Sequence, residues 1–436
     1  MKSKKKTHVV ILGAGISGLT VSYFLNKMQI KNTIIEKDRI PGGLLKSFKI
    51  KNFIFDNFIH ISHAKNSAVK NFFRMSSSYF QIKPKPNNLY KNKWIDHSPQ
   101  FHLYPLKIKE KIKIILSFLK RNRKKEFRIK NYENWLRGAY GNYFANNFPM
   151  KYTEKYWATK SRNLSTNWIK FRMQEISFWE LIKGSFFKIF KDTYYSSDMK
   201  YPKKGGYESF LNILKNNKNI IYNCKLNYID LFNKKISFDK KTISYTNLVS
   251  TIPLPEFSML TKEKNKKLIS HSKKLRCTAG IIISIGLNTE IKTRTWFYVY
   301  NKDFKAARIY APKKLSRNNC PKGKSSLQAE IFLDNKTKVG KKYLNKIKKN
   351  TIDNLIKYNV IKKENIEFIN IKYKQYANVI FDKNYDKSRN YLLSYFKKLG
   401  VDFVGRFGSW AYLWSDQCFM SGKAMAQKIY RENLIF

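Results

Sequence analysis

Apolar positions along the chain first mark out a strand–helix–strand unit. Residues 8–12, HVVIL, form a short unbroken apolar run, the pattern of a parallel strand buried on both faces. Val21, Phe24, Leu25 and Met28 then recur at i, i+3, i+4 and i+7, the stripe of an amphipathic helix. A second apolar run, NTIIEK, closes on Glu36 and Lys37. Between the first strand and the helix lies GAGISG, which sets Gly13, Gly15 and Gly18 in the G-x-G-x-x-G spacing around Ala14 and Ser17. Gly13 permits a tight turn, Gly15 admits a pyrophosphate close to the backbone, and Gly18 lets helix and strand pack closely. The helix N-terminus supplies free N–H groups and the positive end of a dipole. An acidic residue about 20 positions on accepts hydrogen bonds from ribose hydroxyls, and Glu36 is placed for that. Strand, glycines, helix, strand and acid in this register predict a dinucleotide site.

The other amphipathic segments are less decisive. In LKIKEKIKIILSFLKRNRKK (106–125), Ile108, Ile112, Ile115 and Leu119 share a helical face amid dense Lys and Arg. Two readings fit: a domain helix whose solvent face took up lysines, which is preferred, and a helix lying on an anionic membrane surface. Aromatic residues crowd 134–180 with no nucleic-acid stacking motif, which suits a packed helical insertion covering a pocket. Asp96, His97 and Ser98 are adjacent in sequence and point apart, so they make no triad and read as a loop. No apolar run approaches the roughly 20 residues of a membrane-spanning helix.

Length and composition narrow the class. A chain of 436 residues, 43% hydrophobic and 16% aromatic, is folded and long enough for two domains. Its formal charge of +58 is spread along the whole chain instead of forming a face or tail. That distribution argues against specific nucleic-acid binding and reads first as a compositional excess of Lys at permissive surface positions, although a charge this large also favours anionic small molecules and surfaces through the long-range field. Cys224, Cys277, Cys320 and Cys418 are widely separated, which points to free thiols in a reducing, cytoplasmic setting. The basic, apolar start resembles a signal peptide, but the glycine pattern favours a buried strand and helix.

Further motifs carry a family resemblance. Gly42, Gly43 and Leu44 follow the second strand, with Lys46 and Ser47 just beyond; YPKKGGYESFLNIL (201–214), NLVSTIPLPEF (247–257) and GVDFVGRFGSWAYLWSDQCFMSGKAMAQKI (400–429) come later. Together these resemble the flavin-containing amine oxidase superfamily, from residue 8 to about 430. The resemblance implies FAD as cofactor, bordered by Gly42, Gly43, Leu44, Lys46, Thr251, Gly405 and Arg406. Backbone N–H groups around Asp416 and Gln417 are then expected at the flavin pyrimidine end. The stretch 293–332 and the later Gly-Arg-Phe-Gly-x-Trp-x-Tyr order are similar to UDP-galactopyranose mutases and related oxidoreductases of polysaccharide gene clusters. By that likeness Arg308 and Tyr412, with Tyr376, bind the diphosphate of a nucleotide sugar.

The same likeness bears on FDNFIHISH (55–63). Mutases have Asp-x-Gly-Gly-His there; this chain keeps His60 but has Phe58 and Ile59 in place of the glycines. His60 and His63 are the candidate catalytic pair on the flavin face; a metal would need a further ligand, so none is expected. The expected fold is α/β: a Rossmann-like FAD domain (1–95, 200–275, 395–436) interleaved with a substrate domain of helical insertion (96–199) and sheet plus helices (276–394). The expected function is an FAD-dependent oxidation, or a redox-neutral mutase-like step, on a nucleotide- or lipid-linked sugar in surface polysaccharide assembly. Two alternatives remain: an oxidase of an apolar substrate, like protoporphyrinogen oxidases and phytoene desaturases, and an FAD-binding assembly partner without catalysis.

Overall fold

The computed structural model describes residues 7–169, 173–189 and 199–434. The strand Val9–Leu12 is fully buried and pairs in parallel with Asn32–Ile35 on one side and Asn247–Ser250 on the other. Val401–Phe403 and Ile220–Ile221 complete a parallel five-stranded sheet, ordered 401–403, 247–250, 9–12, 32–35, 220–221. Its strands come from the three separated segments expected to form the nucleotide domain. Helix Ile16–Lys27 is buried on all sides over its first two turns. The C-terminal helix Ser415–Leu434 packs along it, so the helix's amphipathic stripe is weaker than its sequence spacing suggests.

The second unit is a seven-stranded sheet ordered 366–374, 278–287, 325–334, 308–310, 296–299, 87–90, 93–96. Its neighbours are antiparallel except the parallel pair Trp296–Val299 with Asn87–Tyr90. The hairpin 87–96 therefore belongs to the large sheet, and the first nucleotide segment stops short of the expected residue 95. Strand Thr278–Leu287 is buried throughout. Ala279, Ile281, Ile283, Ile285 and Leu287 face one apolar cluster, while Gly280 and Ile282 face the opposite way, the alternation that a strand's period of two dictates. The insertion is helical as expected, with helices Ile108–Leu119, Tyr132–Tyr140, Pro149–Tyr156 and Phe178–Phe186 among others. The four cysteines are buried and unpaired with one another.

Candidate functional site

Between the two sheets runs a cavity of 820 Å³, near the top of the range of about 300–1,000 Å³ common for ligand pockets. One wall is the glycine turn. Gly13 sits at φ +95°, and a Cβ at Gly18 would collide with the Gly13 carbonyl, so both glycines are required by the backbone. Gly15 is different: its φ is −74°, and a Cβ there meets nothing within 4 Å because it faces the cavity. The helix starting at Ile16 has no side-chain cap, so its first N–H groups are available to a ligand. Glu36 is buried at the end of the second strand. It accepts the Ala14 N–H (2.6 Å) and the Asp38 N–H (2.9 Å), and carboxylate lone pairs remain for a ribose hydroxyl.

Gly13, Gly15, Ser17, Glu36, Lys37, Gly42, Gly43, Leu44, Thr251, Gly405 and Arg406 all line this cavity. Ala14 and Gly18 lie behind it, as turn and packing residues. Three expectations need adjustment. Lys46 is off the wall, ion-paired with Asp38. The Gln417 side chain is exposed and accepts the Trp414 N–H at 2.9 Å, while the cavity is met by Trp414, Ser415 and Cys418 and not by Asp416 or Gln417. What remains available from that region is the first turn of the helix that begins at Ser415.

The loop after hairpin Ser47–Ile50/Phe53–Asp56 carries both candidate histidines to the cavity. Asp56 anchors it, accepting Ser47 Oγ (2.6 Å), Tyr201 Oη (2.6 Å) and the Tyr207 N–H (2.9 Å). Burial pushes its carboxyl up to about 6, against the pull of those hydrogen bonds. The His60 ring lies 5.4 Å from the Tyr207 ring, and its Nε2 is 3.2 Å from the Leu44 carbonyl. His63 stacks on Trp414 at 4.7 Å. Burial takes both imidazoles down to about 4, so both are neutral at pH 7. Among the described residues no group of His, Cys, Asp or Glu has the arrangement of a metal site.

Phe58 adopts φ +67°, the left-handed backbone that glycine reaches most easily. The loop thus keeps a glycine-like conformation without the glycine. Its ring turns into the large sheet, stacks on Phe332 at 5.6 Å and covers Gly280. Gly280 leaves a slot for the ring.

Arg308 and Tyr412 meet the opposite wall. Nε and Nη2 of Arg308 reach Glu330 Oε2 at 2.9 and 2.6 Å, across the register pair of strands 308–310 and 325–334. Glu330 is fully buried, and its Oε1 accepts the Ile59 N–H at 2.5 Å. Tyr412 Oη is 3.1 Å from Tyr156 Oη, which donates to Asn378 Oδ1 at 3.3 Å. Asn378 Oδ1 also accepts from Arg406 Nη2 at 2.8 Å, and the Arg406 guanidinium lies 4.6 Å from the Tyr412 ring centre. Arg406 Nε is buried without a protein acceptor. Tyr376 also lines the cavity; its ring packs on Phe407 at 5.9 Å, and burial, with Glu256 beside it, holds its hydroxyl well above the usual range.

Glu330, Tyr156 and Asn378 complete the site and were not anticipated. Glu330 had a signal: an acid set between Leu327–Ala329 and Ile331–Leu333 in the strand SSLQAEIFLD reads as a buried, paired charge. Tyr156 was hidden among the aromatics of the insertion.

Comparison with known proteins agrees with this geometry. Residues 11–75 match the NAD(P)-binding Rossmann-like domain family. A curated relative, the inactive all-trans-retinol 13,14-reductase of Danio rerio, is 38% identical over 64 residues, 14% of this chain and 11% of that protein. The matched segment is therefore about a tenth of that relative's length. A solved reduced UDP-galactopyranose mutase superposes with a TM-score of 0.90 at 19% identity, covering 98% of this chain and 96% of the other. A protein of Exiguobacterium assigned as a protoporphyrinogen oxidase gives 0.73 at 14% identity, covering 99% and 100%. Putrescine oxidase bound to putrescine gives 0.64 at 11% identity, covering 98% and 99%. The fold is that of these solved structures, and it is the expected α/β architecture with a Rossmann-like domain.

Proposed function

We propose that this chain is an FAD-dependent enzyme that binds an anionic sugar substrate, nucleotide- or lipid-linked, for surface polysaccharide assembly. One observation carries the reading. Two arginines and two tyrosine hydroxyls converge in the cavity that the dinucleotide turn also lines. Arg guanidinium groups suit phosphate oxygens, and phenols add neutral donors.

Gly15, Glu36, Thr251 and the uncapped helix at Ile16 would hold the adenine dinucleotide half, and the first turn at Ser415 would face the flavin ring. When bound, the flavin supplies hydride acceptance or nucleophilic chemistry at its central ring. This chain's own residues bind, orient and exclude water. Neutral His60 presents an uncharged polar edge to the ring site, Trp414 fixes His63, and Phe58 with Phe332 dries the wall beside Arg308. That wall also favours a second reading, in which the substrate is apolar.

The test is a titration of purified FAD-loaded protein with UDP-sugars, following the flavin absorbance. A spectral change is expected, and it should weaken by roughly tenfold or more in Arg406→Lys, which keeps a positive charge but loses the buried Nε–H that has no protein acceptor. Silence toward every nucleotide sugar, with turnover of a lipid-phase substrate, would select the apolar reading instead.

A further inference from the structure

The outer face of the helical insertion takes no part in the cavity chemistry, and part of it is apolar. Helix Ile108–Leu119 buries Ile114 and Phe118 in the core and also turns its acid inward: Glu110 is buried and bonded by Tyr90 Oη (2.6 Å) and Lys91 Nζ (2.9 Å). A second set of aliphatic residues points out. Ile108, Ile112, Leu116 and Leu119 are 54%, 47%, 51% and 57% exposed, and their spacing of four, four and three makes one continuous stripe. A helix serving only to cover a core needs one apolar face, and this one has two.

A second helix extends the patch. Phe178–Phe186 packs beside the first and exposes Trp179 and Phe186, two turns apart on one face. The Lys111 ammonium lies 5.3 Å from the Tyr104 ring and 5.7 Å from the Phe186 ring, so the two outer faces adjoin. Lys107, Lys109, Lys113 and Lys120 flank the stripe and are exposed. Contiguous apolar surface rimmed by polar residues marks an interaction site, and apolar residues flanked by lysines fit a bilayer surface.

We propose that this face docks on an anionic lipid bilayer, with the aliphatic stripe at the headgroup boundary and the lysines among anionic headgroups. Charge selects this occupant. A second copy of a chain carrying +58 would bring like charges face to face, whereas an anionic leaflet attracts each juxtaposed lysine. No helix among the described residues is long and apolar enough to cross a membrane, so the contact is peripheral. The insertion that docks also supplies Tyr156 to the cavity wall. The inference does not depend on the substrate assigned above.

Vesicle flotation of the full chain tests it, using phosphatidylcholine with and without phosphatidylglycerol. Because net charge alone draws this chain to anionic vesicles, the comparison is made near 0.5 M salt, where screening is within about 5 Å. The variant Ile108→Ser/Ile112→Ser/Leu116→Ser/Leu119→Ser keeps every lysine and alters only exposed positions. Phosphatidylglycerol vesicles should retain wild-type protein, and the variant should partition at least roughly tenfold less. Brominated lipid should quench a fluorescence component that disappears in Trp179→Phe. Equal partition of wild type and variant, no Trp179 quenching, or a wild-type dimer that the variant dissociates would each overturn the proposal; the last would make the patch a self-interface.

Discussion

The pairing of Phe58 with Gly280 is open to a double-mutant cycle. Phe58 sits at φ +67° with its ring 6% exposed, and a Cβ on Gly280 would come within 2.5 Å of its Cε1. Gly280→Ala therefore overpacks the slot at about 1–3 kcal/mol, offset by about 0.5–1 kcal/mol for removing a strand glycine. A net loss of about 1–2 kcal/mol is expected. Phe58→Gly loses a buried ring, about 3–5 kcal/mol, and recovers about 1–2 kcal/mol from the left-handed backbone. That leaves a net loss of about 2–3 kcal/mol. In the double variant the new methyl enters vacated space, so Gly280→Ala should cost nothing there. The coupling energy should be about 1–2 kcal/mol. Urea unfolding of the four proteins, followed by tryptophan fluorescence at one FAD concentration, reads it directly. Additive costs, or a Gly280→Ala protein as stable as wild type, would refute the idea that this glycine makes room for the phenylalanine.

Gly15→Ala should fold normally, because its Cβ meets nothing within 4 Å, yet retain at least roughly tenfold less FAD after desalting, since that space is where a pyrophosphate approaches; full retention would contradict the placement. Glu330→Gln should destabilise by about 3–5 kcal/mol, because it leaves buried Arg308 without its counter-charge, and a denaturation midpoint near wild type would count against it. Acidification should destabilise: His60 and His63 fall to about 4 in the folded chain and His97 to about 3. The unfolded state, titrating near 6.5, then binds more protons as pH drops toward 4. Asp56, raised to about 6, opposes this, since the folded state takes up its proton first. The loss should be several kcal/mol, roughly, between pH 6.5 and 4, and His60→Gln/His63→Gln should remove most of that slope in a pH series of unfolding midpoints. Lys155→Met should cost about 2–4 kcal/mol by thermal or urea unfolding, because the ammonium serves the carbonyls of Val299, Asn301, Phe304 and Ala306 at 2.6–3.2 Å.

The nucleotide half was legible because its constraints are local. A tight turn, a helix terminus and an acid at a strand end all lie within 36 residues, and each depends on backbone geometry that few residues satisfy. The large sheet was read less well. The hairpin 87–96 looks like a continuation of the first domain, and only its parallel pairing with 296–299, two hundred residues away, assigns it elsewhere. Long-range pairing leaves no periodic trace in sequence. The substitution at Phe58 was visible, but its consequence was not, since it depends on Gly280 across the fold. Helix 108–119 shows the same limit: periodicity locates an apolar stripe but cannot say which way it faces.

The two arginines of the cavity are not equivalent. Arg308 spends two of its donors on a fully buried carboxylate, so its charge is largely balanced before any ligand arrives. Arg406 is held by neutral oxygens, the Leu413 carbonyl and Asn378 Oδ1, and keeps its charge uncompensated beside the Tyr412 ring. Its buried Nε still lacks a protein acceptor. In a partly desolvated cavity an unbalanced guanidinium attracts an anion far more strongly than a paired one. Arg406 is therefore the less compensated cation of the cavity, and Arg308 shapes the wall, locked through Glu330 to the backbone of Ile59.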